Sequence, residues 1–415
     1  LISRLERFHL EDVTPERFDP QDLFDQSEQT FFRIHGIANF WKRNVQGTDF
    51  AQYMTDLVIA CHNQTLADLT LVIIGISQRL QVYISLGTEN TTRTLLEGVF
   101  PGMALEKVEM PEINELLLPH FQANGVITGI PSHKAFGPDK GGGEDQTTMP
   151  HPNAPAAIQN QSTPQNQAPL ERVIRGMYGA HWAYVVQAHP RPRLKVIEER
   201  MKTIDLLTQV TNRSRVQWSS SRQDNLQRSV IDSGGETHSY SGDMVNYRAQ
   251  YLIRLLEKQL ERLDQGMAAG QWLVRTYFGA SNTDDALRLS SLLLGALSGS
   301  DSRPEPLRAT LARPDGISLE GFHTFLTSSE VGALIQFPRE EVPGYAIHDY
   351  VYFDSDFRVS TEAQLPLGFI QHNGKNTPET YNISLDALAK HAVVIGVTGS
   401  GKTTTVMNLI DKVVD

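Results

Sequence analysis

Cysteine is nearly missing from this 415-residue chain, where Cys61 stands alone. A single thiol excludes an internal disulfide framework and any thiolate zinc cluster, and it reads as a small buried hydrophobe. Long apolar runs are missing too. The longest, Leu69 to Ile76, has the length of a strand and falls well short of a bilayer crossing, so no membrane span is expected. No secretory leader is visible, and the expected location is the cytoplasm. Positive charge is in deficit: 37 Lys and Arg against 48 Asp and Glu give a formal net charge of −11. Such a surface repels nucleic acid overall, so any contact with DNA needs a local basic patch. Hydrophobic residues at 40% and charged residues at 20% are the composition of a soluble globular protein. The length allows about two to four domains.

What the chain does have is Gly396-Val-Thr-Gly-Ser-Gly401-Lys402-Thr403, a match to G-x-x-x-x-G-K-[ST]. An apolar run, Ala392-Val393-Val394-Ile395, precedes it, and helix-forming sequence from Thr404 to Ile410 follows. The expected order is buried strand, glycine loop, helix. Glycines let backbone N–H groups curl around an anion, and the helix adds its positive N-terminal end. In that setting Lys402 reaches the β- and γ-phosphates of a nucleotide, and the Thr403 hydroxyl ligates Mg²⁺. From average residue usage, a chance match in a chain of this length is expected at roughly the per cent level. The alternative is a plain strand-to-helix turn with Lys402 as a solvated charge.

The chain starts at Leu1 and stops at Asp415, one helix past the loop. The acidic residue that holds Mg²⁺ and the group that orients water have no place after Thr403. The expectation is a segment of a longer protein, able to hold part of a nucleotide but not to turn it over.

Upstream, hydrophobic periodicity predicts a helix over Phe50–His62 and a hairpin of Leu69–Ile76 with Arg79–Leu86. It then predicts a helix over Thr91–Val99 and a strand over Val126–Ile130. Residues 137–169 are rich in Pro, Gln, Asn and Gly with few large apolar side chains, and predict a flexible loop interrupting one domain. Strand Trp182–Ala188, helix Leu194–Thr211, a Ser- and Arg-rich loop over 212–243, and helix Met244–Met267 follow. The apolar stripe of that last helix fits packing on its own sheet, with a coiled-coil seam as the alternative. Strand Gln271–Phe278, helix Asp284–Leu297 with a cap in Ser281–Thr283, and strand Phe322–Leu326 come next. Thr327 and Glu330 have capping-box spacing. This order implies α+β layering, with a ferredoxin-like split βαβ as the candidate. Short strands over Tyr345–Phe353, Gly368–His372 and Tyr381–Leu385 lead into the loop. The expected domains are an extended lead-in over 1–47, an α+β accessory region over 48–340, and a β-rich entrance with the start of a nucleotide-binding core over 341–415.

Other constellations are weaker. His181 and His189 flank a strand with no further ligand at metal spacing, and read as structural. His391, just before the apolar run, either touches nucleotide or is a strand-edge histidine. Arg213, Arg215, Arg222 and Arg228 surround Trp218, a pattern that grips single strands or is simply solvated.

The block Tyr381-Asn-Ile-Ser-Leu-Asp386-Ala-Leu388-Ala-Lys390-His391-Ala-Val-Val-Ile395-Gly396-Val-Thr398-Gly399-Ser400-Gly401-Lys402-Thr403 resembles the start of the motor domain in HerA/FtsK-superfamily ATPases. The segments Leu292 to Ser298 and Leu326 to Glu330, with Phe337-Pro338 and Val342-Pro343-Gly344, look like the region before the motor in conjugative and type IV secretion ATPases. The resemblance implies a RecA-like P-loop core and a homo-hexameric ring that couples ATP hydrolysis to moving DNA or protein. Gly396, Thr398, Gly399, Ser400 and Gly401 would line the phosphates. Lys402 would be the catalytic cation, Thr403 the Mg²⁺ ligand, and Thr404 would lie near the α-phosphate. ATP and Mg²⁺ are the implied cofactors. DNA and a nuclease or other effector protein are the implied partners. Three functions stay open: a DNA translocase or helicase, an export ATPase, and a scaffold that senses ATP without hydrolysing it.

Overall fold

The computed structural model describes residues 5–24, 29–40, 50–65, 67–132, 169–223, 237–299, 301–349, 364–372, 375–384, 388 and 392–414. They belong to two compact units, Leu1–His348 and Asp349–Asp415.

In the first unit β1 (Phe31–Ala38), β2 (Leu69–Ile76), β3 (Arg79–Ser85), β4 (Ala104–Val108), β5 (Ala123–Thr128) and β6 (His181–Pro190) come first. A separate hairpin of β7 (Arg215–Gln223) and β8 (Thr237–Val245) follows. Then β9 (Gln271–Ala280), β10 (Arg308–Leu311), β11 (Thr324–Thr327) and β12 (Ala346–His348) complete a ten-stranded sheet. Its order is β10-β5-β9-β6-β2-β3-β1-β12, with β11 also on β9 and β4 also on β1. Every pairing is antiparallel except that of β1 with β12.

The central strands are apolar on both faces because both faces are covered. Along β2, Leu69, Leu71 and Ile73 enter the larger core while Val72 and Ile74 enter the smaller one. β6 alternates in the same way, Trp182, Tyr184 and Val186 against Ala183 and Val185. Ser77, at a left-handed φ of 56°, closes the two-residue turn that sets the register Ile76↔Arg79.

Ten α-helices are formed among the described residues. In the first unit they are α1 (Pro20–Leu23), α2 (Phe50–Thr65), α3 (Glu89–Val99), α4 (Met110–Leu117), α5 (Pro169–Gly176), α6 (Arg193–Ser214), α7 (Tyr247–Ala269), α8 (Thr283–Leu297) and α9 (Ser328–Leu334). The tenth, in the second unit, is α10 (Lys402–Val414). Met54 and Leu57 of α2, Val173 of α5, Leu289 of α8 and Val331 of α9 cover one face of the sheet. Leu23 of α1, Ile113 and Leu117 of α4, and Leu10, Phe18 and Phe322 cover the other. α6 and α7 pack on each other as a long hairpin that carries β7–β8, with Leu252, Leu256 and Leu263 buried. No helix among the described residues is long and apolar enough to cross a membrane.

Several expectations change. Residues of the expected lead-in are structural: β1 lies inside the sheet, and Leu10, Phe18 and Phe24 are buried. The first unit runs on to His348, because β12 pairs with β1. Only Ala346–His348 of the strand expected over 345–353 is formed, and residues 350–353 lie outside the described residues. Arg215–Gln223 and Thr237–Val245 form a hairpin where a loop over 212–243 and a helix from Met244 are expected, since backbone pairing across nine registered positions needs no apolar face. The helix expected to pack on its own sheet, α7, lies against α6 more extensively than against the sheet. β6, β9 and β11 are adjacent and antiparallel, so they do not form the split crossover of a ferredoxin-like unit. The segment expected to be a flexible loop, 137–169, lies outside the described residues up to 168.

In the second unit, β13 (Gln364–His372) and β14 (Lys375–Ser384) form an antiparallel hairpin, where short strands over 368–372 and 381–385 are expected. Lys412 of α10 donates through Nζ to the Pro366 carbonyl of that hairpin.

Candidate phosphate-binding loop

The loop is built by three glycines acting differently. Gly399 and Gly401 hold φ of 82° and 80°, left-handed values that a side chain would strain. Gly396 is needed for space, because a Cβ there would lie 2.5 Å from Ser400 Oγ. Between them the Ser400 N–H donates to the Val397 carbonyl at 3.2 Å, which closes the turn.

α10 begins at Lys402, and the Thr405 N–H donates to the Gly401 carbonyl at 2.9 Å. The N–H groups of Lys402, Thr403 and Thr404 therefore have no acceptor within the helix and point past its end. The Lys402 side chain folds back over the loop. Its Nζ donates to the carbonyls of Gly396 at 2.8 Å and Val397 at 2.7 Å. A cation, free amides and a helix dipole thus meet at one turn, the chemistry that accepts a chain of phosphates. Thr398, Thr403 and Thr404 are exposed, so their hydroxyls are open to a ligand.

The apolar run before the loop differs from expectation. Residues 392–397 form no strand, and Val393, Ile395 and Val397 are 78%, 89% and 79% exposed. A strand needs a neighbour to take its backbone hydrogen bonds, and no described strand runs beside this one. His391 lies outside the described residues.

The accessory-region histidines have local partners. His189 Nδ1 pairs with Asp68 Oδ1 at 2.9 Å. His181 Nε2 lies 3.1 Å from Ser77 Oγ, and its ring stacks on His120 at 5.5 Å. No group of three His, Cys, Asp or Glu suited to a metal ion occurs among the described residues. Arg213 lies near the end of α6 while Arg215, Trp218 and Arg222 lie on β7, and Arg228 lies outside the described residues.

Periodicity missed a polar cavity in the first unit, lined by Gln187, His189 and Arg275 among others. Its signal in the sequence is a polar residue at an inward position of otherwise apolar strands.

Comparison with family models, with curated proteins and with solved structures finds no match to this chain.

Proposed function

We propose that this chain binds ATP with Mg²⁺ at Gly396–Thr404 and belongs to a ring-forming, RecA-like ATPase that drives DNA through its pore. The observation that carries the reading is the Lys402 ammonium held over a turn with two left-handed glycines at the start of α10. The same residues fit a triphosphate tail: Gly396, Gly399, Ser400 and Gly401 by backbone, Lys402 by charge, and Thr403 by a hydroxyl open to Mg²⁺. Bound Mg²⁺ supplies positive charge at the β- and γ-phosphate oxygens. The homo-hexamer, DNA, a nuclease or other effector partner and a cytoplasmic location belong to the same proposal.

Calorimetric titration with ATP and Mg²⁺ tests the binding. Lys402→Ala removes charge-assisted contacts of about 1.5–3 kcal/mol, so affinity falls by roughly tenfold or more. Equal affinity in the wild type and the variant would remove the basis of the reading. ATPase assays of the full-length protein, with and without duplex DNA, test the motor. DNA-stimulated turnover that vanishes in Lys402→Ala supports translocation. Binding without turnover in the full-length protein selects the ATP-sensing scaffold instead.

A further inference from the structure

The sheet face that carries the smaller core is not apolar along its whole length. Thr70 on β2, Gln187 on β6 and Arg275 on β9 are cross-strand partners in a single row. Strand alternation puts them on the face of Val72, Val185 and Tyr277. The His189–Asp68 pair lies beside the row at the ends of β6 and β2. Gln187, Arg275 and His189 floor a cavity of about 800 Å³, walled by residues 16–24 and 318–320. That volume suits a small molecule of cofactor size.

Two members of the row are satisfied. Thr70 Oγ1 donates to Gln29 Oε1 at 3.2 Å, and Gln187 Nε2 donates to the Leu23 carbonyl at 2.6 Å. Arg275 is not. Its Nε is buried without a hydrogen-bond partner, and its guanidinium makes no ion pair among the described residues. An arginine cannot escape by losing its proton, so a buried Nε without an acceptor is costly. Its surroundings add to the positive field. Burial lowers the pKa of nearby His323, and the charges of Arg7, Arg275 and Arg191 lower it further. Arg7 meets Glu305 at 2.9 Å and Arg191 meets Glu199 at 2.5 Å, which leaves Arg275 as the one of the three without a carboxylate. Burial also pushes the Tyr277 hydroxyl up to about 12, so it stays protonated and can donate. The exposed carboxylates of Glu16, Asp22 and Glu320 are at the rim of the cavity. The exposed Arg17 shares that mouth, and Asp68 lies beside His189 at the floor, so Arg275 is the floor cation without a carboxylate among the described residues.

We propose that this cavity binds a small hydroxylated molecule by one anionic group, phosphate or carboxylate, paired with Arg275 at the floor while its hydroxyls meet the rim carboxylates. A planar guanidinium offers two parallel N–H donors to either anion.

The test uses the full chain carrying Lys402→Ala, which removes the loop lysine from any phosphate binding and makes the result independent of the ATP reading. Ribose 5-phosphate, gluconate and ribose are titrated by calorimetry. At least one charged probe binds and ribose does not, and which of the two binds distinguishes phosphate from carboxylate. Arg275→Gln weakens that binding at least tenfold, and Arg275→Lys, which keeps charge but not the fork, weakens it severalfold. Arg248→Gln, on the exposed start of α7, leaves it unchanged. In the absence of probe, Arg275→Gln melts at the wild-type temperature or above, since a charge without a partner has been removed. No binding by either charged probe, equal binding by Arg275→Gln, or a marked fall in its melting temperature overturns the proposal.

Discussion

Arg262 and Glu330 form a buried two-point ion pair, Nε to Oε1 at 2.7 Å and Nη2 to Oε2 at 2.9 Å. The same carboxylate accepts the Thr327 N–H at 2.8 Å, so one side chain caps α9 and anchors α7 to it. Arg262→Met removes the cation of this buried pair and leaves the Glu330 carboxylate without the guanidinium's two hydrogen bonds. The expected loss is about 3–5 kcal/mol of unfolding free energy, read from urea denaturation. A loss within about 1 kcal/mol would show that the pair is not a structural tie.

Burial, and then the neighbouring His181, hold the His120 imidazole down to about 4 from an ordinary 6.5. The unfolded chain takes up this proton near the ordinary value. Between the two values the unfolded state binds more protons, so this contribution is complete above about pH 6.5 and declines as pH falls toward 4. The decline attributable to His120 is about 2–3 kcal/mol over the window. His120→Phe keeps a ring against His181 and removes the titration, so urea midpoints should fall less between pH 7 and pH 4.5. Some slope persists, because His62 and His323 are also held low by burial. An undiminished slope in the variant would rule out His120 as the source.

Cys61 is fully buried in the larger core, and burial, with Asp68 adding to it, pushes its thiol up to about 12. Almost no thiolate exists at pH 8, and the sulfur is inaccessible. A chromogenic disulfide reagent should leave the native chain unlabelled and take one equivalent in denaturant. Rapid labelling under native conditions would contradict this packing.

Gly401 has a left-handed φ and nothing within 4 Å of an added Cβ. Gly401→Ala should therefore strain only the loop, by about 1–2 kcal/mol. Because the loop is exposed, the melting temperature of the first unit should not change while ATP affinity falls severalfold. Retained affinity would mean that the turn is not needed for binding.

Much of this architecture is readable locally. The β2–β3 hairpin announces itself by alternation and a short turn, and Thr327-x-x-Glu330 announces the start of α9. Asn282, whose side chain accepts the Asp285 N–H, lies where the cap before α8 is expected. The glycine loop is legible because each residue in it has a local geometric duty. Features that depend on distant partners are not readable in this way. Phe31–Ala38 looks like part of a polar lead-in until β3 and β4 are seen beside it. The Ser-rich hairpin β7–β8 has no apolar alternation to betray it. Gln187 and Arg275 become a polar row only through the register of β6 with β9, which single-strand periodicity does not report. The apolar run 392–395 has a strand's sequence without a strand's neighbour, so propensity alone misleads there.

The three residues of β12 lie parallel to Gly36, Ile37 and Ala38, and the Asn39 N–H reaches the His348 carbonyl at 2.8 Å. The approach is close enough that a Cβ on Gly36 would meet the Ala346 carbonyl oxygen at 2.5 Å. This short seam shields one flank of β1 from solvent and from other molecules. If the chain were trimmed at residue 340, that flank would be bared, with the amides and carbonyls of Gly36 to Asn39 available for recruitment by a neighbouring copy. A soluble, monodisperse preparation of the first unit should accordingly retain everything through His348.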